Sequence, residues 1–392
     1  MAKRRKSHLD TLAVWAGEGE STWEHSTQVP VVHSVSFGYD TVEEWEAVAR
    51  GRQAGHIYSR NTNPTVRAFE EKVRDLEGAE AATSFSTGMA AVSNTLMTLL
   101  SPGDRVVSQK DTYGGTSVMF MEFLPRFKIG VTLCETTDYA AMEAEIAKGC
   151  KVVYLETPTN PTLKVVDLKR LAAAAHKVGA VVVADNTFAT PINQQPLTLG
   201  VDLVLHSATK FLGGHADALG GVVAGPAELV HRIYHFREIN GATLHPMSAY
   251  LLLRGMKTLH LRVARQNESA MKIASWLAGH PKVQGVFYPG LPTHPNHDVA
   301  TRQMSGFGGV FSFSLKGGLK AVKAMLPKLT HAYRAANLGS VETIVGIPST
   351  TSHVECTAEE MEKLGIPSGL VRYSTGIENV DDLMSELKAA LA

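Results

Sequence analysis

The chain has 392 residues, 44% of them hydrophobic, with 38 basic (Lys+Arg) and 38 acidic (Asp+Glu) side chains. That length predicts two or three domains, or one large domain with a smaller companion, and the apolar fraction excludes general disorder. A formal charge of zero argues against a nucleic-acid partner, which needs a basic excess or face; with no apolar run of about 20 residues, nothing is expected to span a membrane.

The basic start, Met1 to Lys6, leads into Ser7-His8-Leu9-Asp10 without an apolar core, so it reads as a frayed terminus and not a secretory signal. Three scattered cysteines, Cys134, Cys150 and Cys356, suit neither a disulfide framework nor a zinc site and fit a reducing, cytoplasmic compartment. The first sixty residues are irregular, with one short helical pattern at 42–49. An arm of this kind buries little by itself and is expected to pack on a partner subunit. Asn63-Pro64 then starts a helix that Gly78 closes, with Val66, Phe69, Val73 and Leu76 on one face. A second helix is predicted over 88–100.

An α/β rhythm follows. Strands are predicted at 105–108, 152–155, 181–184 and 203–205, with an Ala-rich helix at 168–177. Continuous β-branched runs alternating with helices indicate a parallel sheet buried on both faces. Residues 220–224 read as a further strand at an edge. The pattern changes after about residue 250: one long helix over 247–277, strands at 283–288 and 309–315, and helices at 319–326 and 380–391. The predicted organisation is therefore an arm (1–60), an α/β domain (61–258) and a smaller C-terminal α+β domain (259–392). His294 and His297 lie in Thr293-His294-Pro295-Asn296-His297-Asp298, whose composition predicts a turn and not a metal site.

Ligands of open α/β sheets bind beyond the carboxyl ends of the strands. There the sequence places Glu156-Thr157-Pro158-Thr159-Asn160, Asp185-Asn186-Thr187 and His206-Ser207-Ala208-Thr209-Lys210. A lysine after a buried strand, with an acid after the neighbouring strand, suits a Schiff base with an aldehyde cofactor. Pyridoxal phosphate (PLP) needs such a lysine, an acid for its ring nitrogen and a phosphate cradle. Ser86-Thr87-Gly88-Met89 opens a helix whose free N–H groups can supply that cradle, and Ser207 and Thr209 add hydroxyls.

The run Ser207-Ala208-Thr209-Lys210-Phe211-Leu212-Gly213-Gly214-His215 resembles the lysine signature of the Cys/Met-metabolism family of PLP enzymes. Three further motifs resemble the same family in order along the chain: Tyr58 to Thr65 (YSRNTNPT), Leu251 to Leu259 (LLLRGMKTL) and Leu370 to Glu378 (LVRYSTGIE). The family includes cystathionine γ-synthases, cystathionine lyases, methionine γ-lyases and O-acylhomoserine sulfhydrylases. The resemblance implies the fold-type I, aminotransferase-like architecture: a central, mostly parallel sheet with the smaller domain attached, in a homotetramer of two catalytic dimers. It implies that Lys210 carries the cofactor and shuttles protons, and that Asp185 pairs with the ring nitrogen. Gly88, Met89, Ser207 and Thr209 would hold the phosphate, with Tyr58 and Arg60 reaching it from the neighbouring subunit. Tyr113 would stack on the ring and serve as acid or base, Asn160 would lie near the ring hydroxyl, and Arg372 would bind the substrate carboxylate.

Departures narrow the reaction. Methionine γ-lyases resemble Tyr-Gly-Cys-Thr where this chain has Tyr113-Gly114-Gly115-Thr116. Cystathionine enzymes carry Glu-Ser before Leu-Gly, where this chain has Ala336-Asn337-Leu338-Gly339. Asn337 and the segment Pro348 to His353, with Ser352 as a substrate contact, look more like the O-acylhomoserine sulfhydrylases. Glu342 and Arg237-Glu238 are candidates for an unusual polar pocket that would accept a polar leaving group such as the oxyguanidine of canavanine. The expected activity is γ-elimination or γ-replacement on an O- or S-substituted homoserine. The alternatives are a β-lyase acting on cystathionine or cysteine conjugates, and a non-catalytic binding protein on the same fold.

Overall fold

The computed structural model describes residues 7–19, 23–351, 361 and 365–392. Ser352 and Cys356 lie outside them. Seven strands form the larger sheet: β1 (Ala81–Phe85), β2 (Arg105–Gln109), β3 (Gly130–Cys134), β4 (Val152–Glu156), β5 (Val181–Asp185), β6 (Leu203–Ser207) and β7 (Gly221–Gly225). Their order is β1-β7-β6-β5-β4-β2-β3. Strands β3, β2, β4, β5 and β6 run parallel, whereas β7 is antiparallel to both of its neighbours. The strand expected at an edge is therefore interior, flanked by β1 and β6. Gly221 permits this: a Cβ there would overlap the carbonyl of Thr87.

Alternate side chains of these strands feed two cores. Val106, Val152, Tyr154, Val183 and Leu205 pack with the helix Gly88–Leu99. Val107, Val153, Leu155, Val182 and Val204 pack with the helix Leu168–His176. Both faces being covered, β4 is buried along its whole length, which explains its unbroken apolar run.

The predicted long helix is two, Pro246–Met256 and Leu259–Ala278, interrupted at Lys257-Thr258. A smaller sheet follows, built of β8 (Val283–Phe287), β9 (Val310–Leu315), β10 (Ala332–Arg334), β11 (Thr343–Gly346) and β12 (Leu370–Ser374) in the order β10-β11-β12-β9-β8. Its core gathers Tyr288, Phe311, Phe313 and Tyr373 against the helices Leu259–Ala278, Gly318–Met325 and Val380–Leu391. The two sheets meet beside the carboxyl end of β4: Ser312 Oγ on β9 donates to the Pro161 carbonyl at 2.7 Å.

The arm has little core of its own. Helices Leu9–Trp15 and Val42–Ala49 are its regular elements, and the first was not predicted. Glu18 ties the Leu9–Trp15 region down by bridging the buried Lys72 (2.8 Å) and Lys257 (2.7 Å). Trp15 and Trp23 are each 71% exposed, far above what an aromatic of that size usually leaves in water. His294 lies in the expected turn, but His297 opens the helix His297–Gln303; His297 Nδ1 lies 2.8 Å from the Pro289 carbonyl oxygen, and His294 Nδ1 accepts the Asn296 N–H. No helix among the described residues is long and apolar enough to cross a membrane.

Candidate active site

One cavity of about 270 Å³ opens where β4, β5 and β6 end, and Gly88, Met89, Tyr113, Asn160, Asp185, Ser207, Thr209, Lys210 and Arg372 all line it. Nine residues singled out from sequence are thus gathered from six segments. Arg372 arrives from the smaller sheet, on β12 opposite Ser312.

Lys210 follows β6 in a tight turn. Its amine donates to Asn337 Oδ1 at 2.8 Å. Burial, helped by the nearby Arg372 guanidinium, lowers it to about 8, so a large share is neutral and nucleophilic near physiological pH. The turn is held from behind by the buried Arg262, which donates to the carbonyls of Phe211 (2.8 Å), Gly255 (2.9 Å) and Leu212 (3.2 Å). Gly255 lets its helix touch this turn; a Cβ there would stand 2.0 Å from the Gly213 carbonyl oxygen.

Asp185 closes β5 in register with Glu156 at the end of β4, so two carboxyl groups stand side by side. Burial, reinforced by the charge of Asp185, pushes Glu156 well above the ordinary carboxylate range. Asp185 is also raised by burial, but Thr187 offsets part of this, its N–H donating to Oδ1 at 2.9 Å. Of the pair, Asp185 is the one that ionises first. Arg372 donates to Asn160 Oδ1 at 3.0 Å and to the Asn337 carbonyl at 3.1 Å. Burial lowers it to about 10, which leaves it charged at neutral pH.

The cradle is formed by a helix start. Thr87 caps the helix Gly88–Leu99, its hydroxyl accepting the Ala90 N–H at 3.0 Å. The first-turn N–H groups have no partner within the helix. Gly88 lies directly against Ser207, where a Cβ would come within 2.7 Å of the serine Cβ. An anion seated here meets the positive end of the helix and the Ser207 and Thr209 side chains together. Cradle, lysine and acid are the three features that PLP requires, and the residues present fit it.

Other expected residues lie elsewhere. Asn337 contacts Lys210 and Arg372 but is not part of the cavity wall, which its neighbours Ala336 and Leu338 form. Within one chain Tyr58 and Arg60 do not reach this cavity; the Arg60 guanidinium sits 5.1 Å from the Tyr58 ring centroid. Arg60 lines a second cavity of about 510 Å³ beneath the arm, beside Asn61, Tyr234 and Arg237. Arg237 and Glu238 do not form the polar substrate pocket expected of them. Arg237 is buried and donates to Glu70 Oε1, Ser84 O and Asn61 O, while Glu238 accepts from Tyr234 and Asn61. They tie Asn61 and the helix Pro64–Glu77 to the sheet. Glu342, also expected there, is absent from the cavity wall. Sequence reasoning set Glu156 and Thr187, which line the cavity, at the strand ends without giving them a role, and missed Arg262, which supports the site. Glu156 was signalled, like Asp185, as an acid closing a continuous apolar strand; Arg262 carried no such mark.

The family described as Cys/Met metabolism PLP-dependent enzyme matches residues 10–392. The chain belongs to that family. It is 42% identical to an L-methionine gamma-lyase of Fusobacterium nucleatum subsp. polymorphum, over 99% of this chain and 98% of that protein. It is 40% identical to an O-succinylhomoserine sulfhydrylase of Pseudomonas aeruginosa, over 98% and 95%. Its fold is similar to a crystal structure of cystathionine gamma synthase from Xanthomonas oryzae pv. oryzae, with a TM-score of 0.94, 38% identity and coverage of 99% and 98%. As a member of the Cys/Met metabolism family, this protein is a PLP-dependent enzyme of the fold-type I α/β architecture. Its relatives are lyases and synthases acting on C–S or C–O bonds of small amino acids.

Proposed function

We propose that the enzyme catalyses γ-elimination or γ-replacement on an O- or S-substituted homoserine. The observation that carries this reading is Asn337, whose side chain holds the Lys210 amine and whose carbonyl holds Arg372. Asn337 thereby ties a base and a carboxylate receptor to one residue, the two groups that a bound α-amino acid has to meet. Bound PLP supplies an electron sink that makes the Cα and Cβ protons removable. Lys210 takes the Cα proton and serves the Cβ position next. Arg372 orients the substrate carboxylate through a planar, charge-assisted contact. Asp185, the readily ionised member of its pair, pairs with the ring nitrogen. Gly88, Met89, Ser207 and Thr209 hold the phosphate. Tyr113 covers the ring and exchanges a proton with the leaving group, and Asn160 sits near the ring hydroxyl.

Among the described residues, the part of the wall formed by Leu219, Ala336, Leu338 and Thr351 carries no carboxylate to meet a distal ammonium group, which supports a substrate other than cystathionine. Gly115 supports the distinction from a typical methionine γ-lyase: even a Cβ at this position would stand 2.9 Å from both Met89 Sδ and Tyr113 Cε1. The exposed Trp15 and Trp23 support packing of the arm on a partner subunit, which we read as a homotetramer of two dimers in the cytoplasm, with Tyr58 and Arg60 completing the phosphate site of a partner subunit. We retain 1–60, 61–258 and 259–392 as arm, PLP-binding domain and C-terminal domain.

Mass spectrometry of products tests the assignment. The purified holoenzyme is offered O-acetylhomoserine, O-succinylhomoserine, methionine, cystathionine and canavanine, each with and without sulfide. Homocysteine or a new thioether formed only with sulfide identifies γ-replacement. Release of 2-oxobutanoate without an acceptor identifies γ-elimination. Pyruvate as the product overturns the γ assignment in favour of a β-lyase.

A further inference from the structure

Glu156 has no task in the reaction as described, yet its surroundings are built with care. It is 4% exposed at the end of β4. Its main chain is clamped on both sides by Gln109, a fully buried residue at the end of β2. Gln109 Nε2 donates to the Glu156 carbonyl at 2.5 Å, and the Glu156 N–H donates to Gln109 Oε1 at 3.2 Å. The carboxylate is thereby held in place. Its Oε2 accepts the Tyr113 N–H at 2.7 Å, and the Asn160 N–H also faces it.

Those two N–H groups belong to different loops, one after β2 and the other after β4. Gly114 and Gly115 follow Tyr113 and offer no side chain that could anchor its loop. Asn160 in turn accepts from Arg372. One carboxylate therefore stands at the root of the ring-covering tyrosine and, through Asn160, of the carboxylate-binding guanidinium. It is also an expensive group to keep here: it is buried beside a second carboxyl on the neighbouring strand, where an amide of the same shape would cost the fold less.

We propose that Glu156 is a positioning residue for the reaction, fixing the loops of Tyr113 and Asn160 so that the Tyr113 ring and Arg372 face Lys210 in one geometry. This rests on the roles given above to Tyr113 and Arg372. In the holoenzyme, Glu156→Gln keeps the volume but leaves a single acceptor oxygen for two main-chain donors. Its kcat is expected to fall by about 10–100-fold, more than KM rises, because small misplacements of reacting groups are expensive. The visible circular dichroism of the bound cofactor, recorded without substrate, should change as it does in Tyr113→Ala, with the melting temperature kept within a few degrees. Glu156→Asp, which retains the carboxyl group but withdraws the acceptor by one methylene, should change the same band and serves if the Gln variant does not fold. A folded Gln or Asp variant with wild-type kcat and an unaltered band overturns the proposal. So does a wild-type band in Tyr113→Ala, since Glu156 would then have no ring to place. The wild-type product separately tests the reaction class, so failure of that reading is distinguishable from failure of this one.

Discussion

Lys210 and Tyr113 line one cavity but are held by opposite means. The Lys210 turn is fastened by main-chain atoms: three carbonyls converge on Arg262, and the Gly255 helix rests directly on Gly213. Tyr113 is 45% exposed, stands at the start of the short helix Gly114–Val118 that two glycines open, and donates its N–H to the carboxyl group of Glu156. The geometry of the first wall is part of the stability of the fold. That of the second is largely independent of it. Damage to the first should therefore register in melting as well as in rate, and damage to the second in rate alone.

The largest effect is expected at the lysine itself. Lys210→Ala should lower turnover by at least about 10³-fold, because no other amine stands ready to replace it, while thermal melting shows an intact fold. Turnover at the wild-type rate would sink the assignment. The next test is pH. The folded amine titrates near 8, so below that value the nucleophilic neutral form falls about tenfold per pH unit. Uptake of PLP by the apoenzyme, followed by absorbance, should rise with pH and level off just above 8; a rise delayed to pH 10 would show an ordinary, solvated lysine.

Two glycine substitutions then set the walls against each other. Gly255→Ala forces a methyl group onto the Gly213 carbonyl and should cost about 2–3 kcal/mol in chemical denaturation, as overpacking does when backbone must move, with a loss of activity alongside. Gly115→Ala presses only on the flexible Met89 side chain and the Tyr113 ring. Stability should change by less than about 1 kcal/mol and kcat by roughly 3–10-fold. Equal destabilisation by the two would erase the distinction between the walls.

The same contrast explains what could be read from the chain. Strands β2, β4, β5 and β6 announce themselves as apolar runs because both faces are covered, and the helix Pro64–Glu77 is bounded by a capping Asn63 and a left-handed Gly78. Strand β1, Ala-Ala-Thr-Ser-Phe, is made of small residues, and β3 is a half-exposed edge; neither has a run to recognise. The interior place of β7 depends on how closely Gly221 approaches Thr87, a tertiary fact with no local signature. In the site, Lys210, Asp185 and Arg372 were legible because their motifs lie at strand ends or in the smaller sheet's last strand. Arg237 and Glu238 misled because charge in a sequence does not say what it faces: both are consumed by bonds to Asn61 and its neighbours. Asn337, expected at the substrate from its motif, bonds to Lys210 and Arg372.

The carbonyl clamp at Arg262 bears on any attempt to transplant this site. Because Arg262 reads the lysine loop through main-chain oxygens, the shape of that loop is stored partly outside it, about fifty residues downstream. Copying 207–215 into another scaffold would transfer the letters and leave the conformation behind. A working graft has to carry Arg262 and the glycine-faced helix at Gly255 with it, as one three-part cassette.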